Sequence, residues 1–326
     1  MMRELTYTAA AREGLAEEME RDPLVFVVGE GIGARGGNFK TTTGLFERFG
    51  PERLRDTPIA ERGFTGLATG AAMVGGRPVV DYMFFDFALD GLGELINQTA
   101  KIQYMSDGRL RMPIVLRGCI GVGGSAATHH SGSYYSLFAH LPGFRVVVPT
   151  TPRDVKGLLK TAIRSDDPVI FMEHRALLNM KGPVPEEEEL IPFGQAAVVR
   201  PGSDLTIVAI AAMVPASLAA AQKLAAEHVS VEVIDPRTLA PLDIDTILAS
   251  IHKTGRLLIV DQTFGPCGIG AEIAAQVVDR AFDDLDAPVR RLNGAHVPTP
   301  YSPVLEAAVV PNIESIMKAV RDLEVE

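Results

Sequence analysis

The chain has no tryptophan, only two cysteines and fewer cationic than anionic side chains, and each shortage removes a class of function. Cys119 and Cys267 lie far apart and form neither a zinc-ligand nor a redox spacing, so they read as small buried residues of a reducing compartment. With 31 Lys and Arg against 41 Asp and Glu, the formal charge is −10, which excludes a general nucleic-acid binder because phosphate neutralisation needs clustered cations. No apolar run approaches the roughly 18 residues that span a bilayer. The N-terminus, Met1-Met-Arg-Glu-Leu-Thr-Tyr7, lacks the apolar segment of a secretory leader. These absences predict a soluble, cytoplasmic chain with neither membrane nor nucleic acid among its partners.

What is present is an alternation of short apolar runs and helical patterns over 326 residues, too long for one typical core. Pro23-Leu-Val-Phe-Val-Val-Gly29 is a continuous apolar run ending in glycine, the pattern of a parallel strand buried on both faces. Pro78–Phe84, Met112–Gly118, Arg145–Pro149 and Pro168–Glu173 repeat it, with helices expected over Thr8–Arg21, Leu89–Tyr104 and Pro152–Arg164. The fold class is therefore α/β, in two domains each rich in parallel sheet. Residues 1–180 form the first and 194–326 the second, and the proline-punctuated acidic stretch 181–193 is expected to link them. In the second, strands over Asp204–Ile210, Val229–Ile234, Arg256–Asp261 and Val289–Leu292 alternate with helices, and Ser302–Leu323 closes the chain as helix.

Four stretches carry candidate chemistry. In Asp56-Thr-Pro-Ile-Ala-Glu61, Pro58 favours an extended backbone before a run of small residues, which holds the Glu61 carboxylate at a strand-to-helix junction. On spacing alone the simpler reading is a glutamate favoured by the helix dipole. Gly29-Glu-Gly-Ile-Gly-Ala-Arg-Gly-Gly37 follows a strand but lacks the G-x-G-x-x-G spacing and an immediate helix, so a dinucleotide site is not expected there. The loop Gly118–Ser133 follows another strand and ends in His129 and His130, which have no further ligand spacing and hence no zinc. The aromatic string Tyr82-Met-Phe-Phe-Asp-Phe87 reads mostly as core.

These stretches recur in order with Asn97-Gln-Thr-Ala-Lys101, Phe138-Ala-His-Leu-Pro-Gly143, Asp235-Pro-Arg-Thr-Leu-Ala-Pro-Leu-Asp243 and Pro298-Thr-Pro-Tyr301. Together the set closely resembles the β subunit of the thiamine-diphosphate-dependent first component of 2-oxo acid dehydrogenase complexes, the group that includes pyruvate, branched-chain 2-oxo acid and acetoin dehydrogenases. The resemblance runs from Thr6 to Val320. It implies a transketolase-like pyrimidine-binding domain followed by a transketolase C-terminal-type domain. It further implies an α2β2 heterotetramer, active only with an α subunit, that decarboxylates a 2-oxo acid and passes the acyl group to lipoamide on a dihydrolipoamide acyltransferase core. Alternatives are an acetoin dehydrogenase β subunit and a non-catalytic scaffold for that core.

The same resemblance assigns residues. Glu61 would hydrogen-bond the aminopyrimidine of thiamine diphosphate and favour its imino tautomer, Phe87 would pack on that ring with Phe85 and Met83 nearby, and His130 would meet the substrate. Magnesium would be held by the α subunit, whose diphosphate-binding motif this chain lacks. A structural potassium ion would map to Ile114, Ala162, Ile163, Ser165 and Asp167. The family reads His-Ser-Gln where this chain has His130-Ser131-Gly132, so Gly132 is expected to loosen the backbone there.

Overall fold

The computed structural model describes residues 1–325 and divides them into two compact units: 1–120 with 132–193, and 121–131 with 194–325. No helix among the described residues is long and apolar enough to cross a membrane.

The first unit opens with β1 (Met2–Thr6), whose last residue caps α1 (Tyr7–Arg21): Thr6 Oγ1 accepts from the Ala9 amide at 3.2 Å. The apolar run expected as a strand is β2 (Val25–Glu30), and α2 (Leu45–Phe49) and β3 (Leu54–Thr57) follow. Helix α3 (Glu61–Met73) starts at the junction glutamate itself and leads to β4 (Arg77–Phe84). The helix expected over Leu89–Tyr104 is broken into a 3-10 segment (Phe85–Gly91), α4 (Leu92–Glu94), a π turn (Leu95–Thr99) and α5 (Ile102–Met105). Gly91 and Gly93 weaken the helix there.

Strand β5 (Val115–Ile120), α6 (Tyr135–His140), β6 (Arg145–Val147), α7 (Pro152–Arg164) and β7 (Val169–His174) complete the layers. Thr151 and Asp154 form a reciprocal capping box around Pro152, which fixes the start of α7 where the sequence predicts it. The strands of this unit pair in the order β6-β7-β5-β4-β2-β3, all parallel.

Residues 181–193, read from the sequence as a connection, are ordered on the first unit. Strand β8 (Lys181–Pro185) pairs antiparallel with β1. The acidic run beyond it is engaged by cations: Glu187 by the N-terminal amine at 3.0 Å, Glu188 by Lys160 at 3.2 Å and by Arg164, and Glu189 by Arg153. Glu17 and the fully buried Glu18 of α1 take Lys160 at 2.6 Å and Arg164 at 2.7 Å.

The second unit contains β9 (Ala197–Arg200), β10 (Leu205–Ala209), α8 (Met213–Ala225), β11 (Val231–Asp235), the short β12 (Thr238–Ala240), α9 (Ile244–Thr254), β13 (Leu257–Phe264), α10 (Ile269–Ala281) and β14 (Arg290–Gly294). Its sheet order is β14-β13-β10-β11-β9, with only β9 antiparallel. The long closing helix expected from Ser302 is two helices, α11 (Pro303–Ala308) and α12 (Ile313–Glu324), divided at Pro311 and restarted by an Asn312–Ser315 capping box. Leu205, Ile207, Val231, Val233, Leu258 and Val260 pack with α8 and α12. On the alternate face of β10, Thr206 bonds Ser250 at 2.6 Å and Thr254 at 2.7 Å of α9.

Candidate functional site

In the first unit the carboxyl ends of β3, β2 and β4 lie side by side, and four acids gather there: Glu30, Asp56, Glu61 and Asp81. The parallel register sets Glu30 against Thr57 and Gly29 against both Asp56 and Asp81. Gly29 is required at this crossing. Its φ is +155°, and a Cβ on it would lie 2.1 Å from the Asp81 carbonyl oxygen.

Two of the four acids are engaged by backbone amides. Asp56 accepts from the Gly31 and Gly33 amides at 2.7 and 3.3 Å, so the glycine loop after β2 closes around an internal carboxylate, and no helix opens until α2. Asp81 accepts from the Met83 amide at 2.9 Å. The other two face each other. Glu30 and Glu61 are each 6% exposed, a carboxyl pair in hydrogen-bond contact. Burial, then the charge of Glu61 and a hydrogen bond to it, then Asp81 and Asp56, push the Glu30 carboxyl up to about 7. Glu30 Oε1 has no partner, an orphaned buried acceptor at the mouth of a strand end.

The aromatic string divides. Phe85 is fully buried, edge-on to Tyr82 with centroids 5.5 Å apart and to Phe138 at 5.3 Å, so it belongs to the core. Phe87 is half-buried. Met83 holds a left-handed backbone, φ +64°, and its sulfur meets the Asn38 amide nitrogen. Beneath lies an ion pair that no sequence motif announced. Arg117 on β5 reaches Glu173 on β7 at 2.6 to 2.9 Å, both nearly inaccessible, and Arg117 Nη1 has no partner. Burial works against its charge, yet Glu173 and Asp81 hold the Arg117 guanidinium above its ordinary pKa.

His130 belongs to the second unit, in the 3-10 turn Thr128–His130. It is half-buried, whereas His129 is exposed. Gly132, expected to loosen the backbone, sits on the first unit in a tightly occupied place. Its amide donates to Asp86 at 2.9 Å, and a Cβ there would lie 2.2 Å from Tyr134 Cε2 and 2.5 Å from Asp86 Oδ1. The Tyr134 ring fills the place a longer side chain would need. Burial and the neighbouring Asp86 raise the pKa of its phenol.

The residues expected around potassium do converge where α7 meets β7, but their carbonyls are engaged. Ile114 accepts from Val169 at 2.9 Å, Ala162 from Ser165 at 3.2 Å, and Asp167 from the Ser165 hydroxyl at 3.1 Å. Ile163 and Ser165 accept from the Arg77 guanidinium at 3.2 and 3.3 Å, so a positive charge already sits among them. No cluster of three or more His, Cys, Asp and Glu side chains able to hold a metal ion is present among the described residues.

Glu30 and the Arg117–Glu173 pair escaped the sequence reading. The signal for both was a charge closing or interrupting an apolar strand: Phe-Val-Val-Gly-Glu30, Ile-Val-Leu-Arg117 and Ile-Phe-Met-Glu173.

Comparison with known proteins adds the following. Residues 3–181 match the transketolase pyrimidine-binding domain and residues 194–316 the transketolase C-terminal domain. The chain is 45% identical over 318 residues to the pyruvate dehydrogenase E1 component subunit beta of Rickettsia bellii, covering 98% of each chain. It is 45% identical to the mitochondrial subunit beta-1 of that component in Arabidopsis thaliana, covering 97% of this chain and 88% of the other. To the acetoin:2,6-dichlorophenolindophenol oxidoreductase subunit beta of Cupriavidus necator it is 43% identical, covering 98% of each. A split-gene transketolase, solved as an inactive β4 tetramer, shares the fold with a TM-score of 0.78 at 23% identity over 98% of both chains.

Proposed function

Since this chain belongs to the family of first-component β subunits of 2-oxo acid dehydrogenases, of the pyruvate and acetoin types, we propose that it contributes the pyrimidine side of a shared active site in an α2β2 heterotetramer. The reaction is oxidative decarboxylation of a 2-oxo acid with acyl transfer to lipoamide on a separate acyltransferase core, in the cytoplasm. The observation that carries this reading is the buried Glu30–Glu61 pair at the carboxyl ends of parallel strands, with one acceptor oxygen left over. It fits the nitrogen-rich edge of an aminopyrimidine.

Thiamine diphosphate, when bound, supplies the carbon nucleophile and the electron sink. Glu61, first residue of α3, would hold a ring nitrogen by sharing a proton with it. Glu30, by keeping a proton up to about pH 7, spares the site a second negative charge and holds Glu61 in place. Phe87 would pack on the pyrimidine, and Met83, whose backbone amide donates to the Asp81 carboxylate, would border it. His130 hydrogen-bonds the substrate. Magnesium belongs to the α subunit. Potassium, implied by the resemblance, would have to share the carbonyls near Ser165 with the Arg77 guanidinium, and no step of the reaction depends on it.

The test is co-expression with the neighbouring α-type chain, followed by reduction of an artificial electron acceptor with thiamine diphosphate and magnesium, across pyruvate, branched-chain 2-oxo acids and acetoin. The 43% identity to an acetoin oxidoreductase subunit is the reason acetoin is in the panel. Turnover in the mixture and not in either chain alone is expected, and Glu61→Gln should abolish it while the tetramer still assembles. Full turnover by Glu61→Gln would remove Glu61 from the mechanism, and turnover by the isolated chain would end the shared-site reading.

A further inference from the structure

Helix α11 is built inside out. Of its six residues only Glu306 is buried, at 8% exposure, whereas Val304 and Leu305 are 77% and 56% exposed. Apolar burial therefore does not explain how this helix is seated. Both Glu306 carboxylate oxygens lie 3.1 Å from one backbone amide, that of Ser125.

Ser125 belongs to the loop that precedes the histidine pair, and that loop is held in an unusual conformation. Ser125 and Ala127 have φ of +54° and +62°, and Gly121, Gly123 and Gly124 are also left-handed. Side-chain-bearing residues enter this region at an energetic cost and stay there only when their surroundings hold them. The holding contacts come from distant segments of the same unit. Gln262, at the carboxyl end of β13, exchanges two hydrogen bonds with the Val122 backbone at 3.3 Å, as a neighbouring strand would. The Thr128 hydroxyl donates to the Thr299 carbonyl at 2.9 Å, and the Ser131 hydroxyl closes the turn onto the Ala127 carbonyl at 2.7 Å. A carboxylate is the strongest kind of acceptor in the set.

We propose that Glu306, supported by Gln262, is a positioning residue of the reaction: it pins the Ser125 amide and so sets the place of the His129–His130 turn. A residue about 180 positions along the chain from the loop then fixes a group that meets the substrate. The inference rests on the reading of His130 given above.

The experiment uses the reconstituted heterotetramer and the variants Glu306→Ala, Glu306→Gln, His130→Ala and Glu306→Ala/His130→Ala. Readouts are kcat, KM for the 2-oxo acid, thiamine diphosphate affinity, and amide hydrogen exchange over residues 122–130. Glu306→Ala should lower kcat by on the order of tenfold to a hundredfold, the scale of a misplaced catalytic group. Cofactor affinity should be unchanged and the loop should exchange faster. Glu306→Gln keeps an acceptor oxygen and should recover most of the loss. The double variant should be no slower than His130→Ala, since both changes remove the same group's action. Two refutations are distinct. Wild-type turnover in Glu306→Ala beside an impaired His130→Ala overturns the positioning role and leaves the proposed function standing. Wild-type turnover in His130→Ala overturns the assignment of His130 and the inference with it.

Discussion

Replacing Glu30 with glutamine should make the protein more stable, and increasingly so as the pH rises. Glu30 takes a proton at about 7 in the folded chain instead of the ordinary 4.5, because it is buried against Glu61. Between those values the folded state holds a proton that the unfolded state has released. Stability is therefore lost as pH increases through that window and is unaffected by this group well below 4.5. The interval corresponds to at most about 3 kcal/mol in total, at about 1.4 kcal/mol per pH unit, and most of it develops between pH 5 and pH 8. Glutamine has nothing to titrate and can still hydrogen-bond Glu61. Thermal unfolding of the purified chain, wild type beside Glu30→Gln, should show a Tm gap that widens by about 5 to 10 °C from pH 5 to pH 8. A gap independent of pH would refute the reasoning, since any loss or gain of packing would act equally at every pH.

Other expectations follow from single contacts. Gly132→Ala should destabilise the chain by about 1 to 3 kcal/mol through the clash with Tyr134 and the Asp86 carboxylate, and Tyr134→Ala should relieve only the ring's share of it; a neutral Gly132→Ala in thermal unfolding would mean that both side chains move freely. Glu173→Gln should cost about 3 to 5 kcal/mol by leaving the Arg117 charge buried without its partner, measured by denaturant unfolding, whereas unchanged stability would mean that solvent reaches the pair. Replacing potassium chloride with choline chloride at equal ionic strength should lower the Tm if an ion joins the carbonyls near Ser165. An identical Tm would leave Arg77 as the cation there.

The parallel strands and α7 were legible because their signals are local: continuous apolar runs, and a Thr-Pro-x-Asp start that closes its own capping box. Glu61 could be placed at a strand-to-helix junction for the same reason. What escaped depends on neighbours distant in sequence. Strands β1 and β8 are short and half exposed, and they exist because they pair with each other across the whole first unit. Glu30 acquires its character only from the register that brings Glu61 beside it. Phe85 and Phe87 look alike in the sequence, and only the turn of the 3-10 segment sends one into the core and leaves the other half accessible. The acidic run at 186–189 carries no mark of its cationic partners, which lie on α7 and at the N-terminus.

The Asp56 carboxylate bound by the Gly31 and Gly33 amides bears on what this chain can be persuaded to bind. Amides converging at a strand end are the usual foothold of a phosphate group. Here the foothold is occupied by a tethered competitor, whose effective concentration is at least on the order of millimolar and does not fall on dilution. A free nucleotide would have to displace an anion that cannot diffuse away. The carboxylate thereby takes from the loop the two amide donors that an incoming anion would need.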